Sequence, residues 1–170
     1  DGTDAVMLSE ETAIGDYPVE SLRVMSEIAV EAEQRTMASA RSASHEDDPV
    51  SWAIARAAVQ ASEELDVAGI LCPTRSGATA RRVAAFRPRM PILATDHTAH
   101  VLRSLSIVWG VVPFEVPFLS DDQLAAHGLE RALTAARDSG VAVSGDLITM
   151  VAGGAAPRAG STDLMRVLHL

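Results

Sequence analysis

At 170 residues the chain is long enough for one domain with a sizeable core and a short additional piece. Apolar residues make up 48% and charged residues 22%, as in ordinary globular proteins. A net charge of −9 argues against a nucleic-acid binder, which would need a basic stripe, and no apolar run reaches membrane-spanning length. Cys72 is the one cysteine, so no internal disulfide or cysteine metal cluster can form, and a reducing, cytoplasmic setting fits.

Ala5, Val6, Met7 and Leu8 follow one another, which predicts a short strand over residues 1–8, buried on both faces. No further strand signal appears for about 60 residues, so this strand is expected to find its neighbours outside the chain. The start, Asp1-Gly2-Thr3-Asp4 without a methionine, also reads as part of something longer. Ser9 to Asp16 is expected to be a polar loop. Within it, Glu10 and Glu11 are candidates for an acid–base pair, and a solvated pair is the plainer alternative. Tyr17-Pro18 predicts a helix start, with Val19, Leu22, Met25, Ile28 and Ala32 at helical spacing. Residues 35–47 are small and polar and read as a linker.

Asp48-Pro49 predicts an N-cap and a helix through Trp52, Ala55, Ala58 and Val59 to about Leu65. From there strands and helices alternate. Strand Val67–Leu71 leads to a helix from Gly77 that closes at Arg87-Pro88. Strand Pro91–Thr95 leads to a helix begun by Thr98. Strand Val111–Val116 contains Pro113, which suits an edge position or a bulge. Ser120 and Gln123 form a capping box for a helix that stops at Gly140. Strand Asp146–Val151 and a last strand over Thr162–Leu168 are joined by a loop too short for a parallel crossover. The expected fold is α/β: a three-layer sandwich with a five-stranded, mostly parallel sheet whose last strand is antiparallel.

Ligands in such sheets bind beyond the carboxyl ends of the strands. Two loops there have suitable residues. In Thr74-Arg75-Ser76-Gly77-Ala78-Thr79 a strand opens through hydroxyls, a cation and a glycine onto a helix, an arrangement suited to phosphate. The alternative is that Ser76 or Thr79 only caps the helix. The second loop is Gly153 to Thr162, where Arg158 can grip a phosphate with two parallel hydrogen bonds. A flexible connection of small residues is the alternative there. Neither loop is a Walker A or dinucleotide sequence. His97 and His100 lack metal-site partners and read as solvated. Cys72 reads as a small buried hydrophobe, with a hydrolase using Cys72 or Ser9 as the alternative.

Asp1-Gly2-Thr3-Asp4-Ala5-Val6-Met7-Leu8-Ser9-Glu10-Glu11-Thr12-Ala13-Ile14-Gly15-Asp16-Tyr17-Pro18 closely resembles the last barrel strand and following loop of pyruvate kinase, with Glu10 where glycine is usual. Thr74–Thr79, Phe86-Arg87-Pro88-Arg89, Pro91–Ala94, Val108-Trp109-Gly110-Val111 and Gly160–Arg166 are similar to the C-terminal domain of the bacterial form. The resemblance implies three parts: residues 1–34 from the end of the catalytic (β/α)8 barrel, a linker over 35–47, and an allosteric α/β domain over 48–170. It implies a parent enzyme that transfers a phosphoryl group from phosphoenolpyruvate to ADP in glycolysis, with Mg²⁺ and K⁺, as a homotetramer. No cofactor is implied for this chain itself, which would be inactive alone. Ser9, Glu11 and Thr12 would support the substrate side of the barrel mouth. Thr74, Arg75, Ser76, Gly77, Ala78 and Thr79, with Arg158, Gly160, Ser161 and Thr162, would hold the phosphate of an allosteric effector, a sugar phosphate or AMP. The tryptophan and arginine that clamp a second phosphate in animal enzymes have no counterpart between Phe114 and Asp122, which favours a monophosphate. The alternative is a free-standing phosphate-ligand binding module.

Overall fold

Strands covered on both faces must be apolar on both faces. Three segments meet that demand: β1 (Gly69–Pro73), β2 (Ile92–Asp96) and β4 (Leu147–Ala152) are buried along nearly their whole lengths. They form the centre of a sheet in a computed structural model that describes residues 3–36, 48–118, 121–153 and 161–170. β3 (Val111–Glu115) and β5 (Leu164–His169), more exposed, form its two edges, in the order β3-β2-β1-β4-β5. The first four strands are parallel, and β5 runs antiparallel to β4. Pro113 lies in an edge strand, as its missing N–H requires.

Alternation along each strand sorts the core into two halves. Ile70, Cys72, Ile92 and Ala94 pack with Ala55 and Val59 of α3 (Pro49–Glu64), Val83 of α4 (Ala78–Ala84) and Leu105 of α5 (Ala99–Leu105). Leu71, Leu93, Ile148 and Met150 pack on the other face with Ala132 and Ala136 of α6 (Asp121–Asp138). The result is the three-layer arrangement expected. The crossover after β1 lies on one face and the crossover after β3 on the other. β1 and β4 are therefore the neighbours between which the connections change sides.

Element boundaries move where a local bond competes. β1 starts two residues later than the apolar run suggests, because the Val67 amide closes the end of α3 on the Ser62 carbonyl at 3.2 Å. Asp48 caps α3 as expected, its Oδ1 accepting from the Ser51 amide at 3.2 Å. β5 begins at Leu164, because the Thr162 amide is drawn off to a side chain of α3. Ser120 and most of the linker lie outside the described residues.

The N-terminal region departs further from expectation. Residues 3–8 form no strand, and Met7 is 89% exposed. With no strand alongside, this segment has nothing to complete a ladder. Where a polar loop was expected, Glu10–Ala13 makes a single turn, α1, with the Thr12 and Ala13 amides on the Ser9 carbonyl. α2 (Pro18–Thr36) forms as its spacing predicts and runs two residues into the expected linker. Its apolar positions Val19, Leu22 and Ile28 stay exposed.

Candidate functional site

The loop after β1 is held open by its own side chains. The Thr74 amide extends the ladder to the Thr95 carbonyl at 3.0 Å. Thr74 Oγ1 accepts from the Gly77 amide at 2.9 Å, and Ser76 Oγ lies 3.4 Å from the Ala78 amide. Gly77 is the N-cap residue, so neither Ser76 nor Thr79 occupies the capping position. Gly77 is required for two reasons. Its φ is +82°, in the left-handed region, and a Cβ there would meet Leu105 Cδ2 at 3.0 Å. Arg75 and Ser76 stand exposed at the tip, whereas Gly77 and Thr79 are buried.

The second loop leaves β4 and returns to β5. Its ends are pinched together: the Ser161 carbonyl lies where a Cβ on Gly153 would sit, and the Asp163 amide donates to the Ala152 carbonyl at 3.2 Å. Arg158 and Gly160 lie outside the described residues. Ser161 is half-buried and Thr162 fully buried.

The two loops meet. Thr79 Oγ1 and Thr162 Oγ1 are 2.8 Å apart, and the Thr162 amide donates to Ser51 Oγ at 2.7 Å. Thr79 and Thr162 are buried beneath the loops, with each hydroxyl bonded to the other. They join the loops from below, and Arg75 and Ser76 lie on the open side. The meeting point is at the carboxyl ends of β1 and β4, where the connections change faces and such sheets bind ligands. Just outside it, Arg82 on α4 donates to the Asp48 carboxylate at 2.9 Å.

Sequence reasoning missed two residues here. Ser51 looked like one more small residue in an alanine-rich helix. Its signal was its place three residues after the Asp48 cap, in the turn that faces the sheet's carboxyl edge. Asp96, at the end of β2, is 3% exposed. Its Oδ1 accepts from the His97 amide at 2.6 Å and the Thr98 amide at 3.0 Å, and it lies 3.1 Å from His97 Nδ1. The signal was an aspartate two residues before a threonine that opens a helix. His97 also packs edge-on to Phe118, with ring centroids 4.8 Å apart.

Ser9, Glu11 and Thr12 gather in one exposed turn. The Ser9 amide donates to Glu11 Oε2 at 2.9 Å, and Thr12 Oγ1 donates to the Ser9 carbonyl at 3.2 Å. Glu11's own amide and that of Ser9 hold its carboxyl below the usual range. Among the described residues no three His, Cys, Asp or Glu side chains gather to hold a metal. Cys72 lies in the core, where burial pushes its thiol pKa up and keeps it neutral, which removes it as a nucleophile. A separate groove of about 430 Å³ runs between the end of β3 and α6, lined by Phe114, Val116, His127, Glu130 and Arg131 among others.

The model of the family described as "Pyruvate kinase, alpha/beta domain" matches residues 52–168. The chain is 43% identical to "Pyruvate kinase 2" of Synechocystis sp., over 98% of its own length and 28% of that protein. It is 41% identical to "Pyruvate kinase" of Geobacillus stearothermophilus, over 98% of its length and 28% of the relative. With "Pyruvate kinase" of Clostridium acetobutylicum it shares 35% identity, over 98% of its length and 35% of the relative. The chain thus spans about a third or less of the relatives it matches. A doubly covered sheet with its last strand reversed, together with similarity to several pyruvate kinases along 98% of this chain, establishes that it belongs to the pyruvate kinase family and contains its α/β domain.

Proposed function

We propose that this chain is the effector-binding and assembly part of a cytoplasmic pyruvate kinase. The whole enzyme would transfer a phosphoryl group from phosphoenolpyruvate to ADP in glycolysis, using Mg²⁺ and K⁺ held elsewhere in the protein. The chain alone would bind effector and would not catalyse. It would join a homotetramer through this domain. Ser9, Glu11 and Thr12 would support the barrel's substrate side through hydrogen bonds. The effector would be a sugar phosphate or AMP, with its phosphate against the Thr74–Thr79 loop and the Arg158–Thr162 segment. A single observation supports this reading most: the 2.8 Å contact between Thr79 and Thr162, which brings the bases of both loops to one rim of the sheet. On that rim, Arg75 supplies a guanidinium and Ser76 a hydroxyl to an anion, both on the exposed side of the loop.

The test is calorimetry of the chain with AMP, ribose 5-phosphate, glucose 6-phosphate and fructose 1,6-bisphosphate. At least one monophosphate should bind, and replacing Arg75 and Ser76 together by alanine should weaken it by about 100-fold or more, as the loss of a charge-assisted and a neutral hydrogen bond implies. Unchanged affinity in that double variant would overturn the site.

A further inference from the structure

Charge is spread unevenly along this chain. Of its 14 arginines and lysines, six lie between residues 75 and 103, and of its 23 acidic residues only Asp96 does. That segment is therefore +5 in a chain of −9, which leaves −14 on the remainder. Its one carboxylate is buried and turned onto the His97 and Thr98 amides. Two of the six guanidinium groups are neutralised locally, Arg82 by Asp48 at 2.9 Å and Arg87 by Asp4 at 2.6 Å. Arg75, Arg81, Arg89 and Arg103 are exposed, and among the described residues Arg81, Arg89 and Arg103 make no ion pair. Arg81 is one turn into α4, its amide bonded to the Gly77 carbonyl at 3.1 Å. Its guanidinium crosses to α5, 3.0 Å from the Ser104 carbonyl and 3.1 Å from Ser104 Oγ, next to Arg103. Arg89 precedes β2 and so lies towards the opposite rim of the sheet, with the five residues of β2, about 16 Å of strand, in between.

We infer that Arg81 and Arg103 form, with Arg75, a cationic approach surface that captures the phosphorylated effector and delivers it to the Thr74–Thr79 loop. The inference rests on the effector reading above and deepens it. A chain at −9 repels a phosphate dianion at long range, so an anion site on it needs a local field of the opposite sign. Backbone amides and hydroxyls act at hydrogen-bond distance. Guanidinium groups act over the Debye length, about 10 Å at 0.1 M salt. Arg81, one helical turn of about 5 Å from the loop, falls within that reach. Arg103 adjoins the serine that Arg81 holds. Arg89, at the far end of β2, falls outside it. The bonds of Arg81 go to neutral oxygens, so they fix its position and leave its charge uncompensated. Arg82, its neighbour on the same helix, is compensated by Asp48 and contributes little to that field.

The test measures association and dissociation rates by NMR line shapes. The 170-residue chain is titrated with AMP and with ribose 5-phosphate at about 20 mM and about 200 mM salt. The unaltered chain should take up both phosphates about threefold more slowly at the higher salt, the reverse of what its net charge dictates. Arg81→Gln combined with Arg103→Gln should slow association about fivefold at low salt and leave dissociation within about twofold. Arg89→Gln removes the same charge at the far rim and should change association by less than about 1.5-fold. If the double variant does not fold, Arg103→Gln alone decides the question, with association about twofold slower. Association that quickens with salt, an equal loss in Arg89→Gln, or a loss confined to dissociation overturns the approach surface. If association ignores salt and binding is lost only when Arg75 and Ser76 are replaced, the approach surface falls and the site stands. If the unaltered chain binds neither probe, both fall.

Discussion

Residues 3–36 and residues 48–170 write the same kind of pattern in two different ways. α2 places Val19, Leu22 and Ile28 at helical spacing, and α3 does the same with Ala55, Ala58 and Val59. In α3 those positions are buried against the sheet, whereas in α2 they are more than half exposed. The periodicity shows that a face requires cover without showing where that cover comes from. Among the described residues, polar and ring contacts link the N-terminal region to the sheet domain. Asp4 pairs with Arg87 at 2.6 Å, Arg87 lies over the Trp109 ring at 5.0 Å, and Trp109 Nε1 donates to Glu33 at 2.8 Å.

The sharpest way to break this contrast is to make the same substitution on both sides of it. Leu93 lies at the centre of β2 and is fully buried; Leu22 on α2 is half exposed. Leu93→Ala should destabilise the chain by about 2–5 kcal/mol, through lost transfer energy and the cavity left behind. Leu22→Ala should change stability by about 0.5 kcal/mol or less, as surface substitutions do. Urea unfolding of both variants measures the difference. A cost at Leu22 equal to that at Leu93 would show that α2 packs in solution against something that the chain itself supplies.

A smaller effect is expected at the candidate site. Gly77→Ala forces a side chain into the left-handed region and towards Leu105, with φ at +82° and the contact at 3.0 Å. The cost should be about 1–3 kcal/mol, seen as a lower thermal midpoint. Because Gly77 also opens the loop, phosphate binding should weaken as well. A variant as stable as the parent would mean that the loop relaxes easily, which would weaken the case for a preformed anion cradle.

How much of this was legible beforehand follows the same division. The sheet domain was legible because its signals are local and agree with one another. Asp48-Pro49 starts a helix, Pro113 marks an edge, and a loop too short for a crossover reverses the last strand. The meeting of Thr74–Thr79 with Ser161-Thr162 was legible as well, since loops after parallel strands gather at one rim. Residues 3–8 form no ladder within this chain, because the neighbours expected for a strand there lie outside it. Ser51 was missed because its partner, the Thr162 amide, is 111 residues away, and no periodicity records such a bond. The hydroxyls of Thr79 and Thr162 were expected to face a phosphate, whereas they are buried and bonded to each other.

The smallest effect concerns the exposed turn at Ser9–Ala13. Glu11's carboxyl pKa is lowered by hydrogen bonds from its own amide and that of Ser9. For a group with a folded pKa below its unfolded one, the contribution to stability is fully present above the unfolded value and is lost as pH falls through the folded one. The turn should therefore hold at neutral pH and loosen only at acid pH, below the ordinary glutamate range. Because the side chain is fully exposed to water, the loosening should stay local and leave the sheet domain folded. An NMR titration of the Ser9 amide checks this. Its shift should follow the Glu11 carboxyl and disappear in Glu11→Gln, with the core amides of β1 and β2 unmoved. A midpoint at or above that of a free glutamate would mean that the Ser9–Glu11 bond does not persist in solution.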